Sequence, residues 1–267
     1  MSARIFFIAI LFLAGCKHSS QLELLQQNEI QLVKPRLMSS NKIIDSTVTL
    51  TADLKLDQVK IFFTDNGEEP TEEAILYREP ILIVSPSTYK FKAFHPSWKA
   101  SETEEIKFIN KGYDVDSIIW LQPLSDQYGG RGAKTLVNHK KATNNYLDNE
   151  WLGFDKPVGL ICKFEKKIKL SSIDIGYLSH PGAWIFPPEE ISIYVSTDGI
   201  DFKKLSDEVV PVIQEPMDAS LATYRIELNE EVLAMRFNFQ NVQKLPEWHD
   251  GAGNGAWMFM DEIIFNK

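Results

Sequence analysis

The sequence predicts an all-β protein made of two β-sandwiches. Short runs of β-branched and aromatic residues recur along the chain, and turn residues separate them. No stretch keeps a sustained helical period of apolar residues. The 267 residues suffice for one large domain or two modest ones. Apolar residues make up 44% and charged residues 24%, which is the balance of a folded protein.

The charge and the cysteines exclude several classes of function. The chain has 28 Lys and Arg against 37 Asp and Glu, for a net charge of −9. Binding nucleic acid needs clustered basic residues, so neither nucleic acid nor another polyanion is an expected partner. Two cysteines, Cys16 and Cys162, allow no disulfide framework and no CxxC-type zinc site. The motifs GxGxxG, GxxxxGK[ST] and HExxH are also absent from the sequence.

The first sixteen residues have the pattern of an export leader. Arg4 precedes an apolar run, residues 5–13, that is too short to span a bilayer as a helix. The sequence Leu13-Ala14-Gly15-Cys16 resembles a bacterial lipobox, which implies cleavage before Cys16 and lipidation of that residue. A plain signal peptide or a short buried helix is the alternative. We therefore expect a signal peptide over 1–15, a polar tether over 16–29, and a lipid-anchored protein of the bacterial cell envelope, facing the periplasm or the cell surface.

The strands of the first domain are expected over residues 30–110. Short β-type runs lie at 47–50, 59–63, 81–84 and 89–94, with Asn66-Gly67 and Ser85-Pro86-Ser87 among the turns. The stretch Phe63-Thr64-Asp65-Asn66-Gly67-Glu68-Glu69-Pro70-Thr71 resembles the small immunoglobulin-like (Ig-like) module that follows the catalytic domain of chitobiases and β-hexosaminidases. The resemblance implies a small β-sandwich that acts mainly as a spacer. Gly112-Tyr113-Asp114 is expected to mark the join to the next domain.

The second domain is expected over residues 117–267. Runs at 172–177, 191–195, 224–228 and 235–239 alternate apolar and polar residues, as strands with one buried face do. So many strands fit a jelly-roll sandwich. Leu160–Phe164 also reads as a strand, in which Cys162 simply packs.

Three segments of this domain resemble the discoidin fold, the coagulation factor V/VIII type C domain that also serves as a carbohydrate-binding module. They are 128–154, 184–202 and 246–263, with the motifs Tyr128-Gly129-Gly130-Arg131-Gly132, Val195-Ser196-Thr197-Asp198-Gly199 and Pro246-Glu247-Trp248-His249-Asp250-Gly251. The family often has Asp-Gly where this chain has Asn138-His139. The resemblance implies a discoidin-like jelly roll that binds carbohydrate.

Two loops are the candidate sugar-binding positions. Sugars are held by an aromatic ring together with a few polar groups. His180 and Trp184 lie in one loop, and Trp248, His249 and Asp250 lie in another. Alternatively, the Trp184 segment closes one end of the sandwich and faces no ligand. Arg131, in a glycine-rich loop, is a further candidate donor, whereas Trp151, Trp257 and Phe259 are expected in the core.

A structural calcium ion is implied by the resemblance alone. Transferred residue by residue, its side-chain ligands are Asn138, Thr143 and Glu262. Calcium prefers several hard oxygens, and Asn138 supplies a neutral amide oxygen where the family supplies a carboxylate. Weaker affinity or loss of the site would follow, and Glu262 would then only hydrogen-bond the loop.

The chain is not expected to be an enzyme. The hexosaminidases that it resembles carry their catalytic carboxylates on a separate α/β barrel, which takes about 250 residues. Two β domains and a leader leave no room for one in 267 residues, and no GxSxG motif supports a serine nucleophile. We expect capture of a neutral or amino-sugar glycan. The alternative is a structural or adhesion module that binds a protein partner, such as a separate glycosidase.

Overall fold

The computed structural model describes residues 30–267. The lipobox, Cys16 and the tether lie outside these residues. Within residues 30–267 the helical segments are two short 3-10 turns, Thr135–Val137 and Pro181–Ala183. No helix of this range is long and apolar enough to cross a membrane. The all-β prediction is confirmed.

The N-terminal sandwich consists of two small sheets. In one sheet the strand order is β1-β3-β6, and in the other it is β2-β8-β7-β4-β5. The strands are β1 (Arg36–Ser39), β2 (Ile43–Ile44), β3 (Val48–Asp53), β4 (Lys60–Thr64), β5 (Ile75–Leu76), β6 (Ile81–Ile83), β7 (Ser87–Phe94) and β8 (Glu104–Asn110). Alternate residues of β3 are buried, which is the pattern of a strand with one face on a core.

Aromatic side chains fill much of the core between these sheets. Phe91 and Phe108 are fully buried, and Phe63 stacks on Phe91 with ring centroids 5.3 Å apart. Leu50 packs into the same cluster from β3 of the other sheet. Phe63 belongs to the motif on which the Ig-like resemblance rests, so the motif begins at a core residue.

The C-terminal sandwich is one continuous set of seven strands. The strand order is β10-β15-β11-β14-β12-β13, and β9 pairs with the first part of β11. The strands are β9 (Ser117–Trp120), β10 (Leu152–Phe154), β11 (Val158–Ser179), β12 (Glu190–Ser196), β13 (Lys203–Val209), β14 (Ser220–Gln240) and β15 (Met258–Asn266).

Two long strands connect both layers of this sandwich. The first part of β11 pairs with β9 and its last part with β15, while β14 accompanies β11 along nearly its whole length. The register shifts between Lys163 and Ile168 and again between Leu170 and Ser172, and such bulges bend paired strands. The four runs predicted at 160–164, 172–177, 224–228 and 235–239 are therefore halves of two strands. Cys162 is fully buried in β11, as predicted.

Loops of the C-terminal sandwich meet around one aromatic cluster. Trp151, Ile185 and Phe259 are buried in it, and Tyr128 and Tyr146 pack against it. These residues come from the loops between β9 and β10, from the loop after β11, and from the start of β15. Trp184 lies beside this cluster, in the same loop as Ile185.

The two sandwiches are joined by backbone and side-chain hydrogen bonds. The Tyr113 N–H donates to the Phe265 carbonyl at 2.8 Å. The Asn41 side-chain amide donates to the His139 carbonyl at 2.7 Å. A turn of the first sandwich is thereby held against a loop of the second.

Candidate functional site

Four of the predicted sugar-binding residues line one cavity. Trp184, Trp248, His249 and Asp250 surround a volume of about 220 Å³. Its other walls are Pro181, Gly182, Pro216 and Met217. The two candidate loops, more than sixty residues apart in sequence, thus form a single concave surface.

The conformation of its loop turns Trp184 outward. The loop is closed by two hydrogen bonds between His180 and Ile185, N–H to carbonyl in each direction, at 2.9 and 3.1 Å. Trp184 then adopts a left-handed backbone conformation, φ 63° and ψ 24°, which is unusual for a bulky residue. Its N–H donates to the Pro181 carbonyl at 2.7 Å. The residue is 39% exposed, so Trp184 does not simply plug the sandwich.

The exposed ring of Trp184 is held in place from one side. The ring lies against the backbone of Gly251, where a Cβ atom would be only 2.5 Å from Cη2 of the indole. The His249 ring packs against the indole edge-to-face, with centroids 5.5 Å apart. A rigid ring loses little conformational freedom when a ligand stacks on it.

His249 fixes the two loops to each other. It is only 7% exposed, and its Nε2 lies 2.8 Å from the Pro181 carbonyl while its Nδ1 accepts the Gly251 N–H at 2.9 Å. These partners define the tautomer with hydrogen on Nε2. With both ring nitrogens engaged, His249 positions Trp184 and has no free nitrogen to offer a ligand.

Trp248 and Asp250 flank His249 but differ in exposure. Trp248 is half-buried and packs on Phe186 with centroids 6.1 Å apart. Its indole N–H is buried and has no hydrogen-bond partner among residues 30–267. Asp250 is exposed at the cavity wall, where its carboxylate is available to a ligand.

A second cavity lies along Trp184 and is lined by residues that the sequence did not single out as binding residues. It measures about 170 Å³, and its walls include Tyr128, Tyr146 and Trp257. Trp257 was expected in the core together with Trp151 and Phe259. Those two are buried, but Trp257 is only half-buried. Tyr128 could have been recognised in the sequence as a candidate binding residue, because it is an aromatic residue directly before the glycine-rich loop.

His180 and Arg131 lie apart from the first cavity. His180 is half-buried near Tyr146, with ring centroids 6.1 Å apart, and its Nδ1 has no partner among the described residues. Arg131 forms an ion pair with Glu150 and lines a different cavity, against the N-terminal sandwich. The structure therefore separates Arg131 from the tryptophan loops.

The three residues expected to bind calcium make separate contacts. The Asn138 amide donates to Glu150 at 2.7 Å, and its oxygen accepts the Lys140 N–H at 2.9 Å. Thr143 is exposed, and Glu262 accepts the His139 N–H at 3.1 Å. No group of three or more His, Cys, Asp and Glu suited to a metal occurs in residues 30–267. Calcium stays a prediction.

A buried ion pair lies beside Glu262. The Lys141 ammonium lies 2.6 Å from Asp261, whose side chain is almost fully buried. Burial raises the pKa of Glu262 to about 9. The nearby Lys141 ammonium lowers the pKa of Glu262, but by less than burial raises it.

Comparison with known families identifies one part of the chain. Residues 39–105 match the family described as the chitobiase/beta-hexosaminidase C-terminal domain. This confirms the resemblance of the first domain over that range. No curated protein matches the chain.

Solved structures similar to this chain include carbohydrate-binding modules and a chitobiase domain. A family 32 module of a Clostridium perfringens family 31 glycoside hydrolase has 16% identity and a TM-score of 0.40, covering 58% of this chain and 95% of its own. The family 32 module of C. perfringens NanJ, solved with galactose, has 10% identity and a TM-score of 0.36, covering 56% and 91%. The C-terminal domain of a Bacteroides fragilis chitobiase has 12% identity and a TM-score of 0.37, covering 58% and 96%.

Proposed function

We propose that this protein is a non-catalytic glycan-binding protein whose binding surface is built around Trp184. The observation that carries the proposal is an exposed, rigidly held indole ring that forms part of the walls of two cavities. An aromatic face matches the apolar face of a pyranose ring, and neighbouring polar groups satisfy the hydroxyls. The loop geometry supports this role because it exposes the ring and fixes its orientation.

The polar groups at the two cavities define what the sugar must offer. Asp250 supplies a carboxylate in the first cavity, and Tyr146 supplies a phenol in the second. A carboxylate accepts hydrogen bonds from sugar hydroxyls and attracts the ammonium of an amino sugar. A neutral or amino-sugar glycan is therefore the proposed ligand of this surface.

We propose that the protein works outside the cytoplasm, anchored at the bacterial envelope through lipidated Cys16. Each buried CH₂ of an acyl chain contributes about 0.8 kcal/mol, and two or more chains anchor a protein firmly. The N-terminal sandwich then acts as a spacer between the membrane and the binding loops. Many copies on one surface would raise a weak affinity through effective concentration.

A glycan-array screen of the protein, run with calcium and with chelator, tests the proposal. We expect binding to one class of neutral or amino sugars. The variants Asp250→Asn and Tyr146→Phe then assign the cavity, because each removes one polar group and preserves the shape of its side chain. A folded protein that binds no glycan on the array would contradict the proposal and favour a protein partner.

A further inference from the structure

A larger cleft lies between the two sandwiches, away from the tryptophan loops. Its volume is about 570 Å³, within the usual range of ligand sites. The N-terminal sandwich contributes residues 37–42 and 104–106, and the C-terminal sandwich contributes residues 140–143 with Arg131 and Glu150. None of the aromatic residues of the first two cavities lines it.

One wall of the cleft is a turn that the chain holds in a fixed shape. Asn41 Oδ1 accepts the N–H groups of Lys42 and Ile43 at 2.8 and 3.2 Å. The Asn41 amide donates across the cleft to the His139 carbonyl. The Lys42 carbonyl accepts the Ile109 N–H at 3.1 Å. The backbone of Lys42 is thus fixed on both sides.

The charges around the cleft do not balance. Four ion pairs account for most of them, namely Arg131–Glu150, Lys141–Asp261, Lys34–Glu104 and Lys90–Glu105. Two ammonium groups remain, on Lys42 and Lys140, and neither has an acidic partner within 4 Å among residues 30–267. The lining therefore has an excess of positive charge, although the chain as a whole is acidic.

Of these two lysines, Lys42 is the stronger candidate for contact with an anion, because it is half-buried. Burial lowers the pKa of its ammonium, and the nearby Lys141 ammonium lowers it further. Asp261 and Glu104 attract Lys42, but each is paired with another lysine. A desolvated ammonium without a partner gains free energy when an anion reaches it.

We propose that this cleft binds the carboxylate of an acidic sugar, with Lys42 as the principal charge partner. Arg131 is 57% exposed and pairs with Glu150 through Nε, which leaves its terminal N–H groups available to the ligand. Ser40 and Thr143 supply hydroxyls from the two sides of the cleft. The cleft has room for a sugar ring around that carboxylate. This site is separate from the Trp184 surface and does not depend on it.

The test is an NMR titration of the protein with galacturonate, and with galactose as the matched sugar without a carboxylate. We expect galacturonate, and not galactose, to shift the amide signals of residues 39–43 and 140–143. Lys42→Met should weaken this binding at least about tenfold, since a charged hydrogen bond is lost. Lys55→Met, an exposed lysine of the same sandwich, should not change it. Affinity should also fall with added salt.

Two further variants separate the proposal from its alternatives. Lys42→Arg keeps the charge and should retain binding, which distinguishes loss of charge from loss of fold. Trp184→Ala should leave the galacturonate response at the cleft intact even if the Trp184 surface binds no glycan. The proposal is overturned if Lys42→Met binds galacturonate like the parent protein. It is also overturned if inorganic phosphate shifts the same amides as strongly as galacturonate, because the cleft would then be a simple anion site.

Discussion

The indole ring of Trp184 rests directly on the backbone of Gly251. This contact exists because position 251 has no side chain, and it joins the loop between β11 and β12 to the loop between β14 and β15. The ring of His249, two residues earlier, packs edge-to-face against the same indole. The orientation of the proposed sugar platform is thus set by a glycine and by a histidine whose ring nitrogens are both hydrogen-bonded within the protein.

Replacing Gly251 with alanine should displace the Trp184 ring. The added methyl group would lie 2.5 to 2.8 Å from three ring carbons, so the indole must move. We expect glycan affinity to fall several-fold to about tenfold, in line with about 0.5–1.5 kcal/mol for an aromatic contact. Gly255→Ala is the control, because the nearest atoms there are 3.8 Å away. Equal affinities of the two variants would argue against this contact.

His249→Phe should loosen both loops. The substitution preserves an aromatic ring but removes the hydrogen bonds to the Pro181 carbonyl and from the Gly251 N–H. Leaving buried backbone groups unpaired costs about 1–3 kcal/mol each. Urea denaturation should show this loss of stability, and glycan affinity should fall with it. Unchanged stability would show that His249 does not hold the loops together.

Gly176→Ala should break the buried ion pair of the C-terminal sandwich. A Cβ atom at this position would overlap both the Asp261 carboxylate and the Lys141 ammonium. Separating a buried pair is expected to cost about 3–5 kcal/mol, measurable by urea denaturation. Gly182→Ala, with nothing within 4 Å of its added methyl, should change stability by less than about 0.5 kcal/mol. A tolerated Gly176→Ala would mean that the pair is not needed for stability.

Two variants of Asn41 should distinguish its two roles, which are to shape the turn and to attach that turn to the C-terminal sandwich. Asn41→Asp keeps an acceptor for the Lys42 and Ile43 N–H groups but removes the donor to the His139 carbonyl. Asn41→Ala removes both functions. We expect hydrogen exchange at the Lys42 and Ile43 amides to speed up only in the alanine variant, and the cleft response to galacturonate to weaken in both. Equally fast hydrogen exchange at these two amides in both variants would contradict the assignment of the two roles to the two ends of the Asn41 side chain.

The turn that follows β12 should lose stability in acid. The Ile200 N–H, then the Asp201 N–H and the Ser196 hydroxyl, lower the pKa of Asp198. A carboxyl whose folded pKa is lowered stabilises the fold above its unfolded pKa of about 3.9, and loses that effect as the pH falls through the folded value. The stability difference between parent and Asp198→Ala should therefore be constant near pH 6 and shrink below about pH 4. Thermal melts across this range measure it.

The strands were predictable and their continuity was not. Alternation of apolar and polar residues identifies the halves of β11 and β14, but the residues between the halves are polar enough to read as turns. The structure keeps these residues in the strands through register shifts between Lys163 and Ser172. Local patterns do not show a bulge, because it depends on the partner strand.

The candidate site was predictable where its chemistry is visible in one loop. Trp184, Trp248 and Asp250 could be chosen because an aromatic ring beside turn residues is itself a signal. Lys42 could not, because only the folded chain shows that it is half-buried between two sandwiches without a counter-ion. Similarly, the environment that engages both nitrogens of His249 is made by residues 181 and 251, far apart in sequence.

The central claim is that the exposed ring of Trp184 holds a glycan. Its most direct test is the dissociation constant of the best array sugar for the parent, for Trp184→Ala and for Trp98→Ala. Trp98 is the matched tryptophan, stacked on His95 in the N-terminal sandwich. We predict at least about a tenfold loss for Trp184→Ala, with the unfolding transition retained, and no change for Trp98→Ala. A folded Trp184→Ala variant that binds the sugar like the parent would contradict the claim.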